Sequence, residues 1–382
     1  MSTGDADPQQ AASDVAEDEE HALEVQLLQI AASGDGAAVA ALLERGAEPA
    51  CETDDGVTPL MLAAEAGSTE AVHALLEAGA PWHAQDRKGH TAGEYASGSG
   101  RREVVRQLLD WAVKAELILG TISRRESRGA VPNRDYLGSS IKYEGGRLVD
   151  EQGEGVMMDW ETPLMRRHAE IICRGGGDVL NVGFGMGIID GFIQEHKPRS
   201  HTIIEAHPDV YAFACSQGWD KRPGVRLVQG RWQDVIDQLG PFDGVFFDTY
   251  GEYYEDMHDL HLRLPRLLRP GGVYSFFNGL APDNMFFHLV YGEIARRELS
   301  RLGLETSYEP VPMDMSAKEV WEGVANRYWH LPVYFVPTCI MAGGASDERQ
   351  QAQQQVQAAE QRPEQQAIGE QQGTAAAAEG GS

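Results

Sequence analysis

Ten residues, Asp178-Val-Leu-Asn-Val-Gly-Phe-Gly-Met-Gly187, leave this chain few ways to fold. Asp178 to Val182 reads as a short buried strand, Gly183, Gly185 and Gly187 as the turn after it, and Ile188 to Glu195 as the start of a helix. Glycines let the backbone approach a ligand closely, and a helix N-terminus offers free N–H groups. The spacing is G-x-G-x-G, not the G-x-G-x-x-G of dinucleotide enzymes, and alone it specifies little. Two further strands narrow it. His201 to Ala206 carries Glu205, 22 residues beyond Gly183, where an acid can take both hydroxyls of a ribose. Phe242 to Asp248 is apolar and ends in a carboxylate, at the edge where open α/β sheets hold ligands. Together the three read as a nucleoside-binding sheet.

The surrounding pattern alternates. Strands are predicted at 178–182, 202–205, 225–229, 244–248 and 273–277, with helices at 163–173, 209–216, 232–239 and 284–302. A helical stretch over 255–268 is kinked or split at Pro265 and stops at the turn Arg269-Pro-Gly-Gly272. Residues 304–311 and 334–341 form a closing antiparallel pair. Such alternation implies a Rossmann-like α/β domain, a mostly parallel sheet with helices on both faces, over residues 151–342.

Ahead of it lies an internal repeat of 33 residues. Gly46-Ala47 recurs as Gly79-Ala80, Leu42-Leu43 as Leu75-Leu76 and Leu108-Leu109, Thr58 as Thr91, and Gly67 as Gly100. Gly56-Val-Thr-Pro-Leu-Met-Leu-Ala-Ala64 resembles the ankyrin signature T-P-L-H-x-A, with Met61 in place of His. The resemblance implies an all-α ankyrin-repeat module over residues 22–112, with Thr58-Pro59 starting a helix and the Leu pairs packing neighbouring units. The third unit, Thr91-Ala-Gly-Glu-Tyr95, is degenerate, as a terminal cap would be. Ankyrin arrays bind proteins, and a packing role is the alternative. Residues 1–21 and 343–382 are low in complexity and are expected to be disordered, while 113–150 bridge the two modules.

The formal net charge of -27 disfavours nucleic acid and membrane surfaces and favours basic partners. Cys51, Cys173, Cys215 and Cys339 are scattered without metal-ligand spacing, and the opening residues lack a basic and apolar leader. A reduced compartment, cytoplasm or nucleus, is the expectation. No G-x-x-x-x-G-K-[ST] is present, so a nucleoside without phosphates fits better than a triphosphate, and a cationic sulfonium such as S-adenosylmethionine suits an acidic pocket. Trp232, after strand 225–229, lies against the adenine or packs in the core. In Val156-Met-Met-Asp-Trp-Glu-Thr-Pro-Leu-Met165, Thr162-Pro163 can start a helix and fix Glu161 just before it. Glu161 and Asp248 together would suit a guanidinium and favour its loss of a proton, although isolated carboxylates are more often solvated charges. His258 and His261 read as helix surface, and Tyr328 to Tyr334 as a packing strand.

The segments V-M-M-D-W-E-T-P-L-M, N-V-G-F-G-M-G-I, I-I-E-A-H and F-D-T-Y resemble guanidinoacetate N-methyltransferase and its fungal relative, the type IV protein arginine methyltransferase, over about residues 130 to 341. The ankyrin-like repeats match the fungal relative. The resemblance implies a class I methyltransferase that uses S-adenosylmethionine, no metal, and methylates the internal (delta) nitrogen of arginine in a basic protein. It implies that Gly183, Phe184, Gly185, Met186, Gly187 and Ile188 line the donor's methionine part. Glu205 would hold the ribose, Ala206 and His207 would lie beside the adenine, and Trp232 and Gln233 on its other edge. Met157 and Met165 would pack around the donor, Tyr136 would close the site, and Glu161 and Asp248 would bind the guanidino group, with Asp248 also near the donor. Gly251 stands where the family has proline. A small-molecule guanidino methyltransferase and a non-catalytic ankyrin scaffold are the alternative readings.

Overall fold

Apolar strands and amphipathic helices alternate through the second half of the chain because each strand must cover both of its faces. The structure, a computed structural model, describes residues 8–126, 134–251, 254–315 and 318–343. Two compact units divide the chain, one holding the residues before 128 and the segment Ala281–Ile294, the other holding the rest.

The first unit contains helices α1 (Pro8–Ser33), α2 (Gly36–Glu44), α3 (Pro59–Ala66), α4 (Thr69–Glu77), α5 (Ala92–Gly98) and α6 (Arg102–Glu126). Thr58 caps α3, its hydroxyl accepting from the Met61 amide at 3.3 Å, and Pro59 occupies the first turn, where no N–H is needed. Of the repeated leucines, Leu42, Leu75, Leu76 and Leu108 are buried. Thr91 and Glu94 form a reciprocal capping box at α5. Here the degenerate third repeat finds its reason. A Cβ on Gly93 would lie 2.1 Å from the ring of Phe286, and the Glu94 carboxylate accepts from the Phe286 amide at 3.1 Å. A bulkier residue and a different acid would displace that segment.

The second unit contains α7 (Arg134–Gly138), then three short strands, β1 (Lys142–Glu144), β2 (Arg147–Val149) and β3 (Gly155–Met158), paired as an antiparallel sheet. Next come α8 (Thr162–Ile172), β4 (Asp178–Val182), α9 (Ile188–Glu195), β5 (Ser200–Glu205), α10 (Pro208–Ser216), β6 (Val225–Gln229), α11 (Trp232–Val235) and β7 (Phe242–Phe247). The chain continues through α12 (Tyr254–His261), α13 (Leu264–Leu267), β8 (Leu268–Phe276), α14 (Met285–Arg301, shared with the first unit), β9 (Leu304–Pro312) and β10 (Val333–Met341). Strands β4 to β10 form one sheet in the order β6-β5-β4-β7-β8-β10-β9, parallel except at β10 and β9. The strand order reverses between β4 and β7, and the C-terminal edge beside that switch is where such sheets bind ligands. At the opposite edge Asp178 and Asp243 are tied to Arg199 and Arg269, which fixes the N-terminal ends of β4 and β7.

Several expectations are corrected. Residues 8–21, read as disordered, belong to α1, since Ala, Gln and Glu favour helix. The bridge at 113–150 is partly the continuation of α6 and partly the β1–β3 sheet. The 232–239 helix is one turn of α-helix followed by a 3-10 turn. The helical stretch does end just before Arg269-Pro-Gly-Gly272, at Leu267, but that segment is a bulge inside β8 and not a turn: Phe242 pairs with Leu268, and Gly244 with Val273. His258 and His261, read as surface, are buried beside Glu298 of α14, with His258 Nδ1 at 2.9 Å from its carboxylate. Residues 344–382 lie outside the described residues. No described helix is long and apolar enough to cross a membrane.

Replacing Gly93 by valine should lower the unfolding free energy by about 1–3 kcal/mol, because the side chain must displace the Phe286 ring. Chemical denaturation of the full chain measures it, and an unchanged midpoint would contradict this packing.

Candidate active site

The C-terminal ends of β4, β5 and β7 converge on an open cavity of about 700 Å³, counting the space at its mouth that is open to solvent. Gly183 ends β4 at φ +96°, and a Cβ there would lie 1.8 Å from the carbonyl oxygen of Asp248. Only glycine accepts both that dihedral and that approach. The loop after it is held from two sides. On the inside, Asn181 Nδ2 donates to the Gly183 carbonyl at 2.8 Å and to Asp190 at 2.9 Å. On the outside, Tyr143 of β1 donates to the Gly185 carbonyl at 3.0 Å while stacking on Phe213, and Met157 Sδ of β3 accepts from the Met186 amide at 3.3 Å.

Glu205, at the end of β5, faces the cavity with its carboxylate already engaged. One oxygen accepts from the Phe184 amide at 2.9 Å, the other from the His207 amide at 2.6 Å. Burial raises its pKa, and the amides of Phe184, His207, Gly185 and Ala206 pull the other way. A carboxylate so oriented can accept from vicinal hydroxyls on its remaining lone pairs. Tyr136, Ala206, Trp232 and Gln233 also line the cavity. The Tyr136 ring lies 4.8 Å from both His207 and Tyr250, which gives one wall an aromatic face.

Glu161 sits in the 3-10 turn (Asp159–Glu161) between β3 and α8, nearly fully buried. Its Oε1 accepts from the Met158 amide at 2.9 Å and the Tyr328 hydroxyl at 2.5 Å. Asp248 follows β7, its amide donating to the Val182 carbonyl at 2.9 Å, and lines the cavity. Burial pushes the Glu161 carboxyl well above the usual range, and the neighbouring Asp248 charge adds to the push. Burial pushes Asp248 up as well. Two acids strained toward neutrality form a site for a cation, and equally a site able to accept a proton.

The cavity therefore gathers Tyr136, Met157, Gly183, Gly185, Glu205, Ala206, Trp232, Gln233 and Asp248. Glu161 adjoins this lining without being part of it, and six expected donor-site residues take other places. Phe184 is buried against Phe213 and Trp219, and contributes its amide. His207 caps α10, accepting from the Asp209 amide while its Nε2 meets the Ser139 carbonyl. Gly187 and Ile188 begin α9, behind the wall, and Met186 contributes its amide to Met157. Met165 of α8 is fully buried and does not line the cavity: an apolar residue at helical spacing reads the same whether it faces a ligand or the core. Tyr250, which the sequence leaves open between a wall of the substrate entrance and packing, lines the cavity; sequence reasoning missed the contacts of Tyr143 and Tyr328, whose partners are distant in sequence. Among the described residues no cluster of His, Cys, Asp and Glu could hold a metal. The glycine-lined wall, Glu205 and the aromatic faces fit an adenosyl group with a cationic arm.

A family model described as guanidinoacetate N-methyltransferase matches residues 139–341, and one for ankyrin repeats in three copies matches 27–117. Similar proteins are named protein arginine N-methyltransferase 2. That of Aspergillus oryzae is 39% identical over 225 residues, 57% of this chain and 54% of that protein. That of Neurospora crassa is 38% identical over 236 residues, covering 56% and 55%. That of Saccharomyces cerevisiae is 37% identical over 218 residues, covering 54% and 53%. The chain spans about half the length of the curated relatives it matches.

Two outcomes follow from this geometry. Gly183→Ala should abolish binding of an adenosyl ligand in calorimetry, since the methyl group collides with the Asp248 carbonyl. The second concerns pH. The folded-state pKa values of Glu161 and Asp248 are raised above those of the unfolded chain, so their stability contribution is full below about pH 4 and is lost as pH rises through neutrality. The ligand-free protein should thus lose melting temperature from pH 6 to about pH 9, and Asp248→Asn should flatten the loss. An identical slope in the variant would argue against a buried acid pair.

Proposed function

Because the chain belongs to the guanidinoacetate N-methyltransferase family, we propose that it monomethylates the internal (delta) guanidino nitrogen of arginine in a protein, using S-adenosylmethionine. The observation that carries this reading is the pair of buried Glu161 and half-buried Asp248 beside a cavity that already has the glycine turn and Glu205 of a nucleoside site. The protein substrate is supported by the repeats over residues 27–117 and by the names of the similar fungal proteins.

In this reading Gly183 and Gly185 let the backbone approach the donor, Glu205 accepts from the ribose hydroxyls, and Tyr136 and Trp232 flank the adenine. S-adenosylmethionine, when bound, supplies an electrophilic methyl group. Glu161 and Asp248 pair with the planar guanidinium fork and hold it against the donor cavity. A protonated guanidinium is a poor nucleophile, and a carboxylate whose pKa is raised toward neutrality is well placed to take its proton as the new N–C bond forms. Positioning and desolvated charge supply the acceleration, with no covalent enzyme intermediate. The net charge of -27 favours encounter with a basic protein.

The family description also admits a small guanidino acid as substrate. The test uses labelled donor with a cell extract and, separately, with guanidinoacetate, followed by hydrolysis and identification of the methylarginine isomer by fragmentation. Delta-monomethylarginine is expected in protein, falling about 100-fold or more in Glu161→Gln and Asp248→Asn. Label in creatine alone would assign the small-molecule reaction, and omega-methylarginine would overturn the choice of nitrogen.

A further inference from the structure

Glu161 is anchored through one oxygen. Both its bonds, from the Met158 amide and the Tyr328 hydroxyl, end on Oε1, and no described group donates to Oε2. At 2.5 Å the tyrosine bond is at the short end for a hydroxyl donating to a carboxyl oxygen. Tyr328 reaches Glu161 from a different part of the chain, 167 residues away, just before β10.

That stretch is itself fixed. The Ala325 amide donates to the Gly153 carbonyl at 2.7 Å, and Asn326 Nδ2 to Glu154 at 2.5 Å, so it lies along the turn joining β2 and β3. A Cβ on Gly155 would come within 2.9 Å of the Tyr328 ring, which leaves the ring no room to move toward that strand. Trp160 and Trp321 pack on it at 5.6 and 5.2 Å. The following residue, Trp329, is wholly buried with its indole N–H on the Leu331 carbonyl. A hydroxyl held on this many sides is a rigid donor. The ionisable groups that face Glu161 are Asp248 from the end of β7, Tyr328, and Tyr334 of β10. The Tyr334 hydroxyl is occupied elsewhere, accepting from the Asn278 amide and meeting His168 Nε2.

We propose that Tyr328 is a positioning residue: its hydroxyl pins Oε1 of Glu161 so that Oε2 is the oxygen presented to the guanidino group. The inference rests on the proposed role of Glu161. Without the hydroxyl, the carboxylate keeps only the Met158 amide, turns about its last bond, and loses a donor that favours its ionised form.

The test is Tyr328→Phe in the full chain, which keeps the ring and removes one oxygen. The Glu161 carboxyl is titrated by NMR in protein carrying 13C-carboxyl glutamate, with Glu161→Gln identifying its resonance. Its midpoint should move up by about one pH unit. Methyl transfer to the acid-soluble proteins of a cell extract should fall about 10- to 100-fold at pH 7. Part of it should return at higher pH, while donor affinity stays at the wild-type value. An unmoved midpoint would overturn the proposal, as would a loss equal at every pH and accompanied by weaker donor binding. If Glu161→Gln and Asp248→Asn both transfer methyl groups at the wild-type rate, the carboxylate reading fails and this inference with it. If both are inactive while Tyr328→Phe behaves as wild type, only the role of Tyr328 is lost.

Discussion

Taking Glu161 out of water beside the half-buried Asp248 is the constraint around which the C-terminal edge of the sheet is built. Each carboxyl is pushed toward its neutral form by burial, and Glu161 further by the charge of Asp248. A lone ionised carboxylate in such a place costs several kcal/mol unless it gains partners. Glu161 has two, an amide and a phenol, both on one oxygen. The remaining demand is for a cation with donors in a plane, and a guanidinium satisfies it where an ammonium would do so less well. The same desolvation raises proton affinity. Under the proposed function, one physical cause therefore makes the pair both a binding site and a proton acceptor.

Such a pair works only if the donor cavity beside it is equally fixed. The loop from Gly183 to Gly187 has few side chains to hold it, so it depends on outside contacts. Asn181 ties its start to Asp190 of the following helix, and the small β1–β3 sheet supplies Tyr143 and Met157 to its outer face. Gly183 lies too close to the Asp248 carbonyl to admit a side chain, so the glycine wall and one of the two acids are built from adjacent backbone. A disturbance of one is felt by the other, since close-packed interiors do not absorb displacement locally.

The parts of this arrangement legible in the sequence are those written in local periodicity. The parallel strands show as apolar runs, Gly183 and Gly185 as a turn, and Glu205 and Asp248 as acids at strand ends, all within one α/β pattern. The β1–β3 sheet is not legible, because strands of three and four residues carry no periodicity to read. Arg269-Pro-Gly-Gly272 misleads because a bulge and a chain reversal call for the same residues. His258 and His261 look like helix surface until Glu298, far along the chain, is brought against them. Met165 and Phe184 are buried outside the cavity lining, and apolar residues beside a site and behind it have identical spacing. Tyr328 has no local signature at all, since its meaning lies in a single hydroxyl meeting a carboxylate from another element.

Which nitrogen would be methylated can be argued from the shared features of the two candidate substrates. In guanidinoacetate and in arginine alike, one guanidino nitrogen carries the carbon chain and two are terminal. The terminal groups have the most N–H donors, and these are what paired carboxylates grip best. Gripping them turns the substituted nitrogen toward the donor, with its N–H left within reach of one carboxylate as the N–C bond forms. The same pair can therefore serve a small guanidino acid or a peptide side chain without changing the atom that reacts. The choice between those substrates must then lie outside the carboxylates, in whatever admits or excludes a polypeptide. This supports the delta nitrogen as the reacting atom and assigns substrate class to the surroundings of the site rather than to its chemistry.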